Sequence, residues 1–280
     1  MVRSAISGAT RMAAVLGRPV DHSLSPVIHN AWIEASALDA VYVALSPTAG
    51  GFRPFLEGLR GGVVAGLNVT APFKEQALAA ADDASGRAKR AGAANLITFP
   101  SDGRIVADNT DGEGLLNAFA RQAPGFDPAA GPVVICGAGG AARGAIAAFL
   151  DAGAPAVKLL ARSAERAALL VELFGEKIAA APFDEARRAL LGANAIVNAT
   201  PVAVELPLEA APAEAVVMDM VYKPLRTHLL EQAAARGLRT VDGLAMLIGQ
   251  AVPSFTAFFG QAPPDIDVRA MTLAALETRR

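Results

Sequence analysis

The 280-residue sequence holds a single cysteine, Cys136, and three widely spaced histidines, His22, His29 and His228. One thiol excludes an internal disulfide framework and a cysteine-rich metal site. Histidines this far apart suggest no zinc site, and no metal is expected. Basic excess is also missing. Lys and Arg number 25 against 27 Asp and Glu, a formal charge of −2, which argues against nucleic acid as a partner because phosphate binding needs a net basic face. The first residues, MVRSAISGATRMAAVLG, lack a long apolar core, so no secretory signal is read. One charge-free stretch, Gly243 to Pro264, is long enough to span a bilayer, yet it carries Gln250, Pro253, Ser254, Gly260 and Gln261. Those residues suit a buried helix and a turn better than hydrocarbon. The expected location is the cytoplasm, with no membrane partner, as a monomer or homodimer.

What is present is apolar. Hydrophobic residues make up 53% and charged residues 19%, too apolar for disorder, and the length allows two domains. Over the first 110 residues strand-like and helix-like runs alternate: strands at 12–17, 41–45, 63–69, 94–99 and 104–107, helices at 26–37, around 52–59 and at 72–80. PSDG (100–103) reads as a turn joining two of the strands. A helix is expected over 111–122. QAPGFDPAAGP (122–132) is the best linker candidate, and a fresh series follows, with strands at 133–137, 157–161, 177–181, 195–199 and 216–220. Such alternation implies α/β architecture with mainly parallel sheets. A helical tail from Gly243 is expected to pack back on the first domain.

Gly137-Ala138-Gly139-Gly140-Ala141-Ala142 follows the apolar strand VVIC and opens a helix-like run. This is the G-x-G-x-x-G/A arrangement in its required context. Glycine permits the sharp turn and the close approach of backbone to a pyrophosphate, and the helix amino end offers free N–H groups. Where an NAD site usually places an acidic residue, this chain has Arg162 and Ser163, with Arg166 one turn on. Two guanidinium groups can clamp a 2′-phosphate by charge-assisted bonds, so NADP is the expected cofactor.

In the first half, polar residues stand where strands end: Ser23 and Ser25, then Asn68, Thr70 and Lys74, then Asn95, then Asn109, Thr110 and Asp111. Each has an ordinary structural reading, Ser25, Thr70, Asn109 and Asp111 as helix caps and Lys74 as a solvated helix residue. Together they suit a small polyhydroxylated ligand, and a lysine with an aspartate gives a proton-transfer pair without metal.

HSLSP (22–26), NVTAPFK (68–74), GAANLI (92–97), DNTDGEG (108–114), GAGGAA (137–142), MDMVYKPLRTHLL (218–230) and DGLAMLIGQA (242–251) resemble the shikimate dehydrogenase family in order and spacing, from about Met12 to about Asp267. The resemblance implies a substrate domain over 1–112 plus 246–280 and a Rossmann-type NADP domain over 113–245. It implies Lys74 and Asp111 as the catalytic pair, and Ser23, Ser25, Asn68, Thr70, Asn95, Tyr222 and Gln250 as shikimate-binding residues. On the cofactor side it points to Gly137, Ala138, Gly139, Gly140, Ala141, Arg162, Ser163, Arg166, Met220 and Gly243. The implied reaction is reversible NADPH-dependent reduction of 3-dehydroshikimate to shikimate, on the route to chorismate and the aromatic amino acids. A quinate/shikimate dehydrogenase, a methylenetetrahydrofolate dehydrogenase and a non-catalytic NADP- or shikimate-sensing relative are the competing readings. The chain departs from the family pattern at Ala161-Arg162-Ser163, where Asn-Arg-Thr is usual, and at Pro201 to Leu206, where Ser-x-Gly usually follows the Asn-Ala-Thr triplet.

Overall fold

A computed structural model describes residues 6–278. The chain divides into two compact units, one built from the described residues up to Thr110 together with those from Gln250 onward, the other from Asp111 to Gly249. The crossings thus fall after Thr110 and after Gly249, two and four residues from the positions read in the sequence.

The first unit carries β1 (Arg11–Leu16), α1 (Ser25–Ala35), β2 (Ala40–Leu45), α2 (Phe52–Glu57), β3 (Val64–Val69), α3 (Lys74–Ala80), β4 (Asp83–Ala84), α4 (Gly86–Ala91), β5 (Leu96–Thr98) and β6 (Val106–Asp108). The strands form one sheet in the order β2-β1-β3-β5-β6-β4. β1 pairs in parallel with β2 and β3, whereas β5 is antiparallel to both β3 and β6. The PSDG turn joins β5 to β6 as a hairpin, so two antiparallel pairings interrupt a sheet whose other three, β4 with β6 included, are parallel as the alternation predicts. Asp83-Ala84 and the helix from Gly86 escape a periodicity reading because each is too short to show a period. A core of Leu16, Phe52, Leu67, Phe73 and Ile97, each fully buried, lies on one side of the sheet.

The second unit contains α5 (Asp111–Gln122), β7 (Val133–Cys136), α6 (Gly140–Asp151), β8 (Val157–Leu160), α7 (Ala164–Phe174), β9 (Ile178–Ala181), α8 (Ala186–Leu190), β10 (Ala195–Asn198), β11 (Val216–Asp219), α9 (His228–Ala235), β12 (Arg239–Asp242) and the start of α10 (Gly243–Phe259). Its sheet runs β12-β11-β10-β7-β8-β9 and every pairing is parallel. That is the doubly wound order, with the strand sequence reversing between β7 and β10. All four residues of β7, VVIC, are buried, as a central parallel strand covered on both faces requires. The edge strand β12 was not read from the sequence, because RTVD has one buried residue and no apolar run.

The linker candidate lies inside this second unit. Phe126 packs against Phe119 at 4.6 Å with the rings tilted by 40°, and meets Phe149 edge-on. Asn194 donates to the Asp127 carbonyl and Arg239 to that of Pro124. Proline and glycine there shape a packed connection between α5 and β7. After Gln250 the chain rejoins the first unit, where α11 (Val268–Thr278) packs against α1.

Candidate active site

In the first unit the sequence-selected amides are buried and bonded to one another. Asn68, on β3, is 5% exposed and Asn95, just before β5, 2%. Asn95 Oδ1 accepts the Thr110 N–H at 2.7 Å, and its Nδ2 lies 3.0 Å from Thr110 Oγ1 and 3.4 Å from Gln250 Oε1. The Thr110 hydroxyl in turn donates to the Gln250 carbonyl at 3.1 Å. Asn68 Nδ2 donates to Ser254 Oγ at 2.8 Å and to the Asn95 carbonyl at 3.3 Å, while Asn68 Oδ1 accepts from the Tyr42 hydroxyl at 2.7 Å. Gln250 and Ser254 are one turn apart on α10, the i, i+4 spacing that places them on one face. Buried amides bonded in this way cannot rotate without orphaning a polar group, which costs about 1–3 kcal/mol.

Lys74 is the first residue of α3 and is half-buried. Its position is set from both sides. Phe73, before it, is fully buried and stacked on Phe52 at 4.8 Å, and the Lys74 carbonyl accepts the Ala94 N–H at 2.8 Å, beside Asn95. Thr70 accepts the Phe73 N–H through its backbone carbonyl, while its own N–H reaches the Leu16 carbonyl. It does not cap α3, whose N-cap position is Phe73. The cap reading of Ser25 also falls. Ser25 is the first helical residue of α1, Leu24 occupies the N-cap, and Ser23 Oγ accepts the Ser25 N–H at 3.3 Å. Neither Thr70 nor Ser25 therefore has the capping role that competed with ligand binding.

His29, one turn beyond Ser25, is fully buried, stacks on Tyr42 at 4.1 Å and finds no hydrogen-bond partner for either ring nitrogen. Burial pushes its pKa down to about 3, so the ring is neutral. Asp108, at the end of β6, is pushed up by burial, but the bonds from Arg87, Ser85 and the Asn109 N–H outweigh this and hold it below the ordinary carboxylate range.

In the second unit a cleft of about 460 Å³ is lined by Gly137, Ala138, Gly139, Arg162, Ser163, Arg166 and Thr200 among others. It lies at the carboxyl ends of β7, β8 and β10, where the strand order reverses, the position at which doubly wound sheets bind nucleotides. Gly137 has φ +107°, and a Cβ there would lie 2.9 Å from Thr200 Cγ2, so both conformation and space demand glycine. Gly139 opens α6 in extended conformation with no side-chain cap. The first-turn N–H groups, Gly140 and Ala141 included, therefore lack the usual side-chain acceptor, an arrangement that suits an anion. Arg162 and Arg166 are exposed, and Ser163 caps α7 by accepting the Arg166 N–H at 3.2 Å. The cap fixes the turn that carries both arginines. With no carboxylate after β8, this cleft fits a dinucleotide bearing a 2′-phosphate.

Beside the cleft, Asn198 Oδ1 accepts both the N–H and the hydroxyl of Thr200, and Asn198 Nδ2 donates to Asp219 at 3.0 Å. Asp219 is 1% exposed. Burial raises its pKa, against the opposing effect of bonds from Val221, Thr227 and Asn198. The Asn198 carbonyl takes the Met220 N–H, and Gly243 sits so close to Met220 that a Cβ would lie 2.3 Å from its carbonyl oxygen. Met220 and Tyr222 thus follow a braced turn. Cys136, fully buried with its thiol pushed up to about 12 by burial and the Asp219 charge, is no nucleophile. Among the described residues no group of three His, Cys, Asp or Glu side chains is placed to hold a metal, and no helix is long and apolar enough to cross a membrane.

Tyr42, Ser254 and Asp219 were not singled out as site residues from the sequence. A polar residue at the carboxyl end of β11, level with Asn198 on its neighbour, was the signal for Asp219. The spacing from Gln250 was the signal for Ser254.

Comparison with known proteins agrees with this geometry. Residues 15–97 match the model of the shikimate dehydrogenase substrate binding domain, and residues 121–218 that of shikimate / quinate 5-dehydrogenase. The chain is 56% identical over 280 residues to the shikimate dehydrogenase (NADP(+)) of Caulobacter vibrioides, covering 98% of each. It is 37% identical to the crystal structure of shikimate 5-dehydrogenase from Thermus thermophilus in complex with NADP(H) and shikimate, with a TM-score of 0.81 over 95% of this chain and 99% of that one. A quinate dehydrogenase from Corynebacterium glutamicum in complex with NAD is also similar, at 27% identity and a TM-score of 0.84 over 96% of this chain and 99% of the other.

Proposed function

The chain belongs to the shikimate dehydrogenase family, and we propose that it catalyses the reversible NADPH-dependent reduction of 3-dehydroshikimate to shikimate, a step toward chorismate and the aromatic amino acids. The observation that carries this reading is the pairing, on one chain, of a buried, hydrogen-bonded amide–hydroxyl cluster around Asn68, Asn95 and Gln250 with a glycine loop flanked by Arg162 and Arg166.

The chemistry supplied by bound NADP(H) is hydride transfer at the ring ketone carbon. Lys74, as an ammonium, stabilises the negative charge developing on the ketone oxygen and gives it a proton. Asp111 orients Lys74 and accepts a hydrogen bond from a neighbouring ring hydroxyl. Ser23, Ser25, Asn68, Thr70, Asn95, Tyr222 and Gln250 are the substrate-binding residues of this reading. Gly137 to Ala141 take the pyrophosphate, Arg162 and Arg166 the 2′-phosphate, with Ser163 fixing their turn. Met220 and Gly243 border the nicotinamide. The segments 1–112 plus 246–280 and 113–245 are the substrate and NADP domains of this scheme, and the enzyme works in the cytoplasm as a monomer or homodimer.

The NAD-bound quinate dehydrogenase relative keeps quinate as the second reading. It is disfavoured by the absence of a carboxylate after β8. Steady-state oxidation of shikimate and of quinate, each with NADP and NAD, separates the two. Shikimate with NADP is expected to give the highest kcat/KM, and a preference for quinate with NAD overturns the proposal.

A further inference from the structure

Among the described residues of the first unit, Tyr42 is the ring whose hydroxyl bonds to an expected substrate-binding amide. It lies on β2 opposite Ala13 of β1, and Asn68 lies on β3 opposite Val15. Ala13 and Val15 are two apart, so Tyr42 and Asn68 share a face of the sheet with β1 between them. A phenol is long enough to cross one strand, and the Tyr42 hydroxyl reaches Asn68 Oδ1 at 2.7 Å.

Tyr42 is itself held in place. Asn30 on α1 accepts the Tyr42 N–H at 3.0 Å and donates to its carbonyl at 2.8 Å, and the neutral His29 ring lies parallel to the phenol, 3° from coplanar. The direction of the Tyr42–Asn68 bond follows from a neighbour that only accepts. The Asn95 carbonyl faces Asn68 Nδ2, and flipping the amide would set two oxygens against each other. Nδ2 must therefore face Asn95 and Ser254, Oδ1 must face Tyr42, and the phenol must donate.

The hydrogen-bond inventory then closes. An Asn side chain has two donors and two acceptor lone pairs. Asn95 and Ser254 use both donors, and Tyr42 uses one lone pair. We infer that Tyr42 is a positioning residue of the substrate site, which fixes the Asn68 amide so that it offers a ligand one acceptor and no donor, and so takes a ring hydroxyl in preference to a carbonyl or carboxylate oxygen. This deepens the proposed function and rests on it.

The test is the kinetics of shikimate oxidation by Tyr42→Phe, which keeps the ring and its stack on His29 and deletes the donor. KM for shikimate should rise about tenfold, the equivalent of ~1.4 kcal/mol, with kcat within threefold and KM for NADP unchanged. Asn68→Ala and the double variant should then share one KM for shikimate, because a residue acting solely through Asn68 has nothing left to lose once the amide is gone. Ser254→Ala carries the same test from the other side of the amide, with a severalfold rise in KM for shikimate alone. An unchanged KM in Tyr42→Phe, additive effects in the double variant, or a parallel decline of kcat, both KM values and the melting temperature would each overturn the positioning role while leaving the shikimate reading intact. Wild-type protein that fails to oxidise shikimate overturns both.

Discussion

The two units prepare their sites in opposite ways. In the first, the expected ligand-binding groups are side chains, mostly buried, and bonded to one another: Asn68, Asn95, Thr110 and Gln250 form one network with Ser254 and Tyr42. In the second, the expected cofactor-binding groups are backbone and exposed charge. Gly137 and Gly139 leave room, α6 has no side-chain cap, and Arg162 and Arg166 project into solvent from a turn fixed by Ser163. A small ring with several hydroxyls needs donors and acceptors held at defined angles, so its site must be rigid before the ligand arrives. A pyrophosphate and a 2′-phosphate present diffuse charge, which helix N–H groups and flexible guanidinium groups can meet with little preorganisation.

Six substitutions would break or sharpen that contrast. The largest effect is expected at Lys74. Lys74→Ala should lower kcat by at least a thousandfold, a barrier change of about 4 kcal/mol, with KM for shikimate altered far less, because the lost interaction belongs to the transition state. Asp111→Asn should follow in the same direction. A Lys74→Ala enzyme that keeps a tenth of wild-type kcat would make the first unit a binding site only.

Next is Arg162. A charge-assisted bond to phosphate contributes about 1.5–3 kcal/mol, so Arg162→Ala should raise KM for NADP by ten- to a hundredfold and leave KM for NAD almost unchanged at fixed ionic strength. Equal losses with both cofactors would assign Arg162 to the adenine or to the fold.

His29 bears on the rigidity of the first unit. Its folded pKa of about 3 lies below the unfolded value of 6.5, so the unfolded chain binds the extra proton and stability falls as pH drops from 6.5 toward 3. Denaturant unfolding at pH 5.5 should show about 1.4 kcal/mol less stability than at pH 7.5 from this group alone. His29→Leu should flatten that slope, whatever its stability at pH 7.5. An equally steep slope in the variant would place the acid sensitivity elsewhere.

The smallest effect separates two glycines. A Cβ at Gly139 meets nothing within 4 Å, and the residue has φ −100°. Gly139→Ala should therefore keep the wild-type melting temperature and raise KM for NADP about fivefold, from the Cβ standing where a pyrophosphate would approach. Gly137→Ala should lower both the melting temperature and the affinity for NADP, since its positive φ and the 2.9 Å approach to Thr200 strain the protein itself. A lowered melting temperature for Gly139→Ala would show that the loop is tight for structural reasons rather than open for a ligand.

Much of the candidate site was legible because its residues fall at strand ends and in short fixed motifs. Lys74 in NVTAPFK and the loop from Gly137 are examples, since the local sequence both builds the turn and supplies the chemistry. Tyr42 was not, because nothing near it in sequence marks it as polar machinery, and Ser254 was marked only by its spacing from Gln250. Each gains its role from a partner far along the chain, Tyr42 from Asn68 and Ser254 from the same amide. The linker reading of QAPGFDPAAGP failed for a related reason. Proline and glycine announce a turn, but whether the turn is free or packed depends on where Phe119 and Phe149 stand.

By itself the sequence determined the alternation of strands and helices, the glycine loop and its arginines, and the kind of ligand the polar residues suit, since all of these are set by local periodicity and residue chemistry. Only the tertiary structure decided the antiparallel β5–β6 insertion in the first sheet, the addition of β12 at the edge of the second, the loss of the cap roles for Ser25 and Thr70, and the orientation of the Asn68 amide. Those depend on which distant donors and acceptors are left to be paired once the chain has packed, and a buried polar group takes whatever partner the fold brings to it.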